Sequence, residues 1–169
     1  CIHLGATSND IVDTAVGLQL RDSIILLREV LCKLISVTAD LSERERSTVM
    51  LGRTHGQAAV PITFGLKAAV WLDEMRRQLV RLDEASPRIS VGKFLGAVGT
   101  GAAQGDGARE LQRLILTHLG LGVPLVTTQV VGRDRYVEYV SWLANVACTC
   151  EKVLQEVRNL QRSDIAEAG

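Results

Sequence analysis

The chain has 169 residues and carries 19 Lys+Arg against 19 Asp+Glu, so no net field draws it toward nucleic acid or an anionic membrane surface. Apolar residues make up 47% and aromatics only 4%, a mixture that suits long packed helices better than a sandwich or barrel. Arg21, Asp22, Arg28 and Glu29 interrupt the first apolar segment before it reaches membrane-spanning length.

The first predicted element opens at Thr7-Ser8-Asn9-Asp10, a run of helix-capping residues. From Ile11 to about Ala39 the chain has one glycine, Gly17, and no proline. Ile11, Ala15, Leu18, Ile25, Leu26, Val30, Leu34 and Val37 recur at helical spacing, which gives a helix about 45 Å long at 1.5 Å per residue. Its apolar residues cover more than one stripe, so burial on several sides is expected, inside a bundle or between subunits. Thr48 to Leu51 reads as a short β-like run, and Gly52 to Gln57 as a polar loop bracketed by glycines. Pro61 is placed at the opening of a second helix, from about Thr63 to Ala85, which Pro87 stops. Glycines at 92, 96, 99, 101, 105 and 107 mark an irregular segment. A short helix follows from about Ala108 to Leu119 and ends at Gly120, then a connector to Gly132 and a last long helix, about Asp134 to Ala166. The fold class expected is therefore all-α, an elongated bundle of long helices, with residues 1–169 forming one helical domain.

In such a bundle the helices are scaffold and the polar loops at their ends carry chemistry. Thr7 and Ser8 stand at a helix N-terminus, where free N–H groups and the dipole favour an anion; an ordinary N-cap is the plainer reading. His3 lies four residues upstream. Thr54-His55-Gly56-Gln57 gathers a hydroxyl, an imidazole and an amide in one loop beside Arg53, and imidazole is the side chain best suited to give or take a proton near neutral pH. Thr127-Thr128-Gln129 and Arg133-Asp134-Arg135 form a third polar cluster before the last helix, equally readable as capping chemistry and a solvated charge run. Cys1, Cys32, Cys148 and Cys150 have no framework spacing. Cys148 and Cys150, two apart on a helix, point to different sides. Free thiols in a reducing cytoplasm are expected, with no metal site and no cofactor.

Taken in order, three segments resemble the fumarase/aspartase superfamily, and its adenylosuccinate lyase branch most. They are His3-Leu4-Gly5-Ala6-Thr7-Ser8-Asn9-Asp10, then Gly52-Arg53-Thr54-His55-Gly56-Gln57 running on to Pro61 and Lys67, and Thr127-Thr128-Gln129 through Tyr136. Gly92-Lys93, the run Gly96 to Thr100, and Arg158 to Arg162 agree as well, so the resemblance covers essentially the whole chain. It implies long central helices assembled into a homotetrameric core, with active sites where subunits meet. The implied reaction is β-elimination of fumarate from a succinylated purine nucleotide, adenylosuccinate or the succinylated imidazole carboxamide ribotide. His55 would be the general acid, Thr7 and Ser8 would bind the succinyl carboxylate with His3 close to the substrate, and Thr54 and Gln129 would hold carboxylate oxygens. Lys93 and Arg135 are carried over as substrate-binding by neighbourhood. Nucleic acid and membrane are not expected partners.

The sequence departs from the family pattern at Ala58, where many members have a second histidine, and at Leu95, where a small polar residue is common. Its beginning without Met and its ending on Ala168-Gly169 read as the central part of a longer chain, inactive alone. The family's Gly-Ser-Ser-x-Met-Pro-x-Lys-x-Asn-Pro segment, source of the base serine, would follow Gly169. The nearest alternative is 3-carboxy-cis,cis-muconate cycloisomerase, similar at Gly5 to Ser8 and Val60 to Lys67 but usually lacking the His55-Gly56 pair. Argininosuccinate lyase is more distant. A non-catalytic helical assembly module is the reading that applies if the chain is complete.

Overall fold

The computed structural model describes residues 3–168. Four helices and one hairpin follow in order: α1 (Ser8–Arg44), β1 (Val49–Thr54), β2 (Gln57–Thr63), α2 (Phe64–Ile89), α3 (Ala108–His118) and α4 (Asp134–Leu160), with a 3-10 segment at Ala102–Gly107. The all-α class expected from composition holds, and the hairpin is the only sheet among the described residues. No described helix is long and apolar enough to cross a membrane. Cys32, Cys148 and Cys150 are free thiols; Cys1 lies outside the described residues. The chain divides into two compact units, Cys1–Leu27 with Leu82–Ser141 and Arg28–Arg81 with Trp142–Gly169.

Along α1 the buried positions Asp10, Gly17, Ile24, Leu31 and Thr38 fall seven residues apart, the repeat that keeps one seam of a helix facing its neighbours. Burial on several sides is not what this chain provides. Ile11, Val12, Ile25, Leu26, Val30 and Val37 are all more than half exposed.

In the first unit Ile24, Leu82, Ile89, Val91, Leu116, Leu121 and Val131 form the core. The glycine inside α1 has a packing cause: a Cβ on Gly17 would stand 2.2 Å from the Val91 carbonyl oxygen, so helix and loop backbones meet there directly. The Val91 stretch pairs in turn with Gly122, whose N–H donates to the Ser90 carbonyl at 2.8 Å.

The expected stop at Pro87 is corrected, because α2 runs through it to Ile89. A proline in the final turn forfeits a single helical hydrogen bond; next to it the Arg88 guanidinium donates to the Glu84 carbonyl at 2.7 Å. The same arginine pairs with Glu138 of α4 and lowers its carboxyl pKa through that hydrogen bond. At the other end of the chain α4 stops at Leu160, short of the expected Ala166.

In the second unit Leu31, Ala68, Trp71, Met75 and Trp142 are buried around a polar seam. Gln78 donates to Asn145 at 2.8 Å and to the Thr149 hydroxyl at 3.2 Å, while its carbonyl accepts from the Trp142 indole at 2.9 Å. Thr149 donates onward to Glu74, which Lys152 also grips. The expected polar loop at 52–57 is instead the end of a hairpin. β1 and β2 are antiparallel, with Leu51 opposite Pro61 and Thr54 opposite Gln57. Pro61 therefore sits in a strand and not at a helix start, a place open to proline only where the strand lacks a neighbour on its N–H side. The helix opens at Phe64, capped by Thr63, whose hydroxyl accepts the Leu66 N–H at 3.1 Å.

Two outcomes follow. Gly17→Ala forces the helix off Val91 and costs about 2–3 kcal/mol by overpacking, read as a lowered midpoint in thermal unfolding. Glu74 is held below its ordinary pKa, first by the hydrogen bond from Lys152. Its folded pKa is thus below the unfolded one, and its stabilisation is present above about pH 4.3 and lost as pH falls further. Glu74→Gln should lower the unfolding midpoint at pH 7 and leave it equal to wild type well below pH 4.

Candidate active site

The first turn of α1 is organised by two buried carboxylates. Asp10, 1% exposed, accepts the Thr7 N–H at 2.8 Å and the Gly96 N–H at 3.0 Å on Oδ2. Its Oδ1 accepts the Leu95 N–H at 3.2 Å and the Lys93 ammonium. The contact to Thr7 is one half of a capping box, an acid at the third helical position reaching back to the N-cap. The others bring the glycine-rich segment onto the same carboxylate. Lys93 is itself fully buried, and Nζ also donates to the Gly96 carbonyl at 3.2 Å. The Thr14 hydroxyl, one turn along α1, accepts the Lys93 N–H and donates to the Lys93 carbonyl, both at 3.0 Å.

Asp13, 2% exposed, does the same for the connector before α4. It accepts the Val131 N–H at 2.7 Å and the Arg133 guanidinium at 2.9 Å. Arg133 also donates to the Tyr136 hydroxyl at 3.0 Å and lies 5.1 Å from the centre of that ring. Its pKa is raised, chiefly by the hydrogen bond to Asp13, and burial pushes the Tyr136 phenol up.

Between these anchors the structure brings Thr7 and Gln129 together, the amide Nε2 donating to the Thr7 hydroxyl at 3.3 Å. Ser8 follows, exposed at the first position of α1, and His3 is exposed in the preceding turn. Gln104 donates to the Gly5 carbonyl at 2.8 Å and helps line a cleft of about 290 Å³ with Gly5, Ala6, Gly96, Val98 and Thr100. Hydroxyls, an amide and a helix N-terminus facing solvent make a set of donors suited to a carboxylate. Lys93, carried over as a substrate contact, offers no surface to one, because its ammonium is enclosed and held by Asp10. Arg135 is half-buried with its guanidinium on the Arg88 carbonyl.

Thr54 and His55 belong to the second unit. His55 and Gly56 have φ of 54° and 71°, the paired left-handed residues of a two-residue type I′ hairpin turn. Histidine tolerates that region better than most residues, and the turn leaves its imidazole exposed at the tip. Arg53 holds the hairpin by a two-pronged pair with Glu167, at 2.7 and 3.1 Å, which lowers the Glu167 pKa. A cavity of about 530 Å³ beside the turn is lined by Arg53, Gly56, Lys67, Glu156, Asn159 and Arg162.

Asp10 and Asp13 have no distinction in the sequence beyond helix capping. Their signal is spacing: three apart, with Asp10 on the seven-residue seam that Gly17, Ile24 and Leu31 continue.

A family model described as Lyase matches residues 1–168. Curated adenylosuccinate lyases are similar over nearly the whole chain. That of Methanothermobacter thermautotrophicus is 49% identical over 99% of this chain and 37% of its own length, and that of Pyrococcus abyssi 47% over 98% and 37%. Among solved structures, a fumarate lyase from Mesorhizobium sp. BNC1 is 40% identical with a TM-score of 0.91, covering 96% of this chain and 38% of that one. A 3-carboxy-cis,cis-muconate lactonizing enzyme from Pseudomonas putida is 36% identical with a TM-score of 0.91, covering 97% and 37%. The chain thus spans about 37% of the length of the curated relatives it matches.

His55→Asn should leave the hairpin intact, since asparagine suits the first position of a type I′ turn; an unchanged unfolding midpoint checks it.

Proposed function

The chain belongs to the lyase family, and from that premise we propose that the protein cleaves adenylosuccinate, and the succinylated imidazole carboxamide ribotide, by β-elimination in purine biosynthesis. A proton leaves the carbon beside a substrate carboxylate, the carbon–nitrogen bond breaks to release fumarate, and the departing nitrogen takes up a proton. His55 is the acid that gives that proton. Thr7, Ser8 and Gln129 hold the succinyl carboxylate at the start of α1, Thr54 adds a hydroxyl from the hairpin, and His3 lies close to the substrate. Lys93 serves the site through the backbone it holds, and Arg135 is a substrate-binding residue by neighbourhood.

The observation that carries this reading is His55 at the tip of a type I′ turn, with both of its residues left-handed. An exposed imidazole at that tip is free to act outside the fold. Close identity to adenylosuccinate lyases along the whole chain supports the same reading. The likeness to muconate-cyclising enzymes favours a second one, cycloisomerisation of a carboxymuconate, against which the His55-Gly56 pair speaks.

The active assembly is a cytoplasmic homotetramer. Support comes from the apolar residues of α1 that this chain leaves exposed, Ile25, Leu26, Val30 and Val37 among them, a larger set than a lone surface helix normally shows.

The whole protein should release fumarate from adenylosuccinate, followed by absorbance, and should not cyclise 3-carboxymuconate. His55→Asn should lower kcat by about 10²–10⁴-fold, the usual worth of a positioned acid, with no loss of stability. Unchanged turnover would remove His55 from the mechanism, and a monomer in sedimentation would remove the tetramer.

A further inference from the structure

We propose that Lys93 is a positioning residue of this site: through Asp10 it fixes the Thr7 end of α1 and the Leu95-Gly96 backbone as one anion-binding frame, without touching substrate. The inference rests on the reading of Thr7, Ser8 and Gln129 as the carboxylate subsite.

Both members of the pair have side chains 0% exposed. Burying two charges costs several kcal/mol each, which their attraction seldom more than repays, so an apolar pair of similar volume would serve stability as well. The pair is better explained by geometry. Two segments far apart in sequence present three backbone N–H groups, of Thr7, Leu95 and Gly96, to one point. Only an ionised carboxylate has lone pairs enough to accept all three and still face a cation. Lys93 supplies the neutralising charge from within the loop being held, and its own backbone is clipped to Thr14 on both sides. The hydroxyl and first free N–H groups of α1 are thereby set at a fixed height relative to the loop. Donors that act on charge growing in a transition state need that kind of fixed placement.

The test compares Lys93→Met and Asp10→Asn/Lys93→Met with wild type in the whole protein, and with Leu82→Ala as a core control. Lys93→Met should lower kcat by about 100-fold, the scale of a lost oxyanion donor, with a smaller rise in KM. Hydrogen exchange should quicken in peptides spanning residues 7–11 and 92–97. Leu82→Ala should lower the unfolding midpoint yet leave kcat and KM of the folded enzyme unchanged. If Lys93→Met fails to fold because Asp10 is left as an unpaired buried charge, the double variant, which removes both charges, gives the same two readings. Wild-type kcat, or unaltered exchange at those peptides, in a folded variant overturns the inference. Should wild type not cleave adenylosuccinate, the functional reading fails, and the exchange measurement still decides whether Lys93 holds the frame.

Discussion

Asp10 accepts an ammonium and three backbone N–H groups on one carboxylate entirely out of water, and the end of the first unit is arranged around that fact. α1 must begin where it does, since Asp10 has to stand at the third helical position to reach back to Thr7. The glycine-rich segment must double back, since Leu95 and Gly96 share the same two oxygens. Lys93 must be buried, since the carboxylate needs a counter-charge. One turn further on, Asp13 repeats the device on the segment leading into α4, and the two together leave Thr7 and Gln129 in contact. A helix N-terminus alone is a generic feature; here two loops are tied to it.

The remainder of α1 follows a different rule. Its buried seam is one residue in seven and passes from Asp10 and Gly17 through Ile24 and Leu31 to Thr38, while a larger apolar surface stays uncovered. Long-range packing in this chain thus uses a narrow part of the helix. The exposed remainder is where the proposed tetramer finds its area.

The helices were legible because periodicity and capping are local: Thr7 to Asp10 marked the start of α1, Gly120 the end of α3, and Asp134 the start of α4. Errors arose where tertiary context overrode a local rule. Pro87 reads as a stop, yet a proline in a last turn costs a single bond, which the helix bears. Pro61 reads as a helix opener, yet Thr63 carries the cap and Pro61 fits an unpaired strand edge. The stretch 52–57 reads as a loop because its glycines and polar residues hide the strand pairing on either side of a two-residue turn. His55, Thr7 and Gln129 are singled out by residue chemistry together with resemblance, and the structure joins the last two. The Asp10–Lys93 pair is not, because it joins residues 83 apart in sequence, and Lys93 seen alone reads as a cation awaiting an anionic ligand.

The most direct measurement is a crystal structure of the whole protein with fumarate bound. The expected result is a fumarate carboxylate on the Thr7 hydroxyl and the Gln129 amide at the start of α1, with the Lys93 ammonium still on Asp10. A fumarate carboxylate seated on Lys93, with the Asp10 pair broken, would contradict the roles assigned to both ends of that pair.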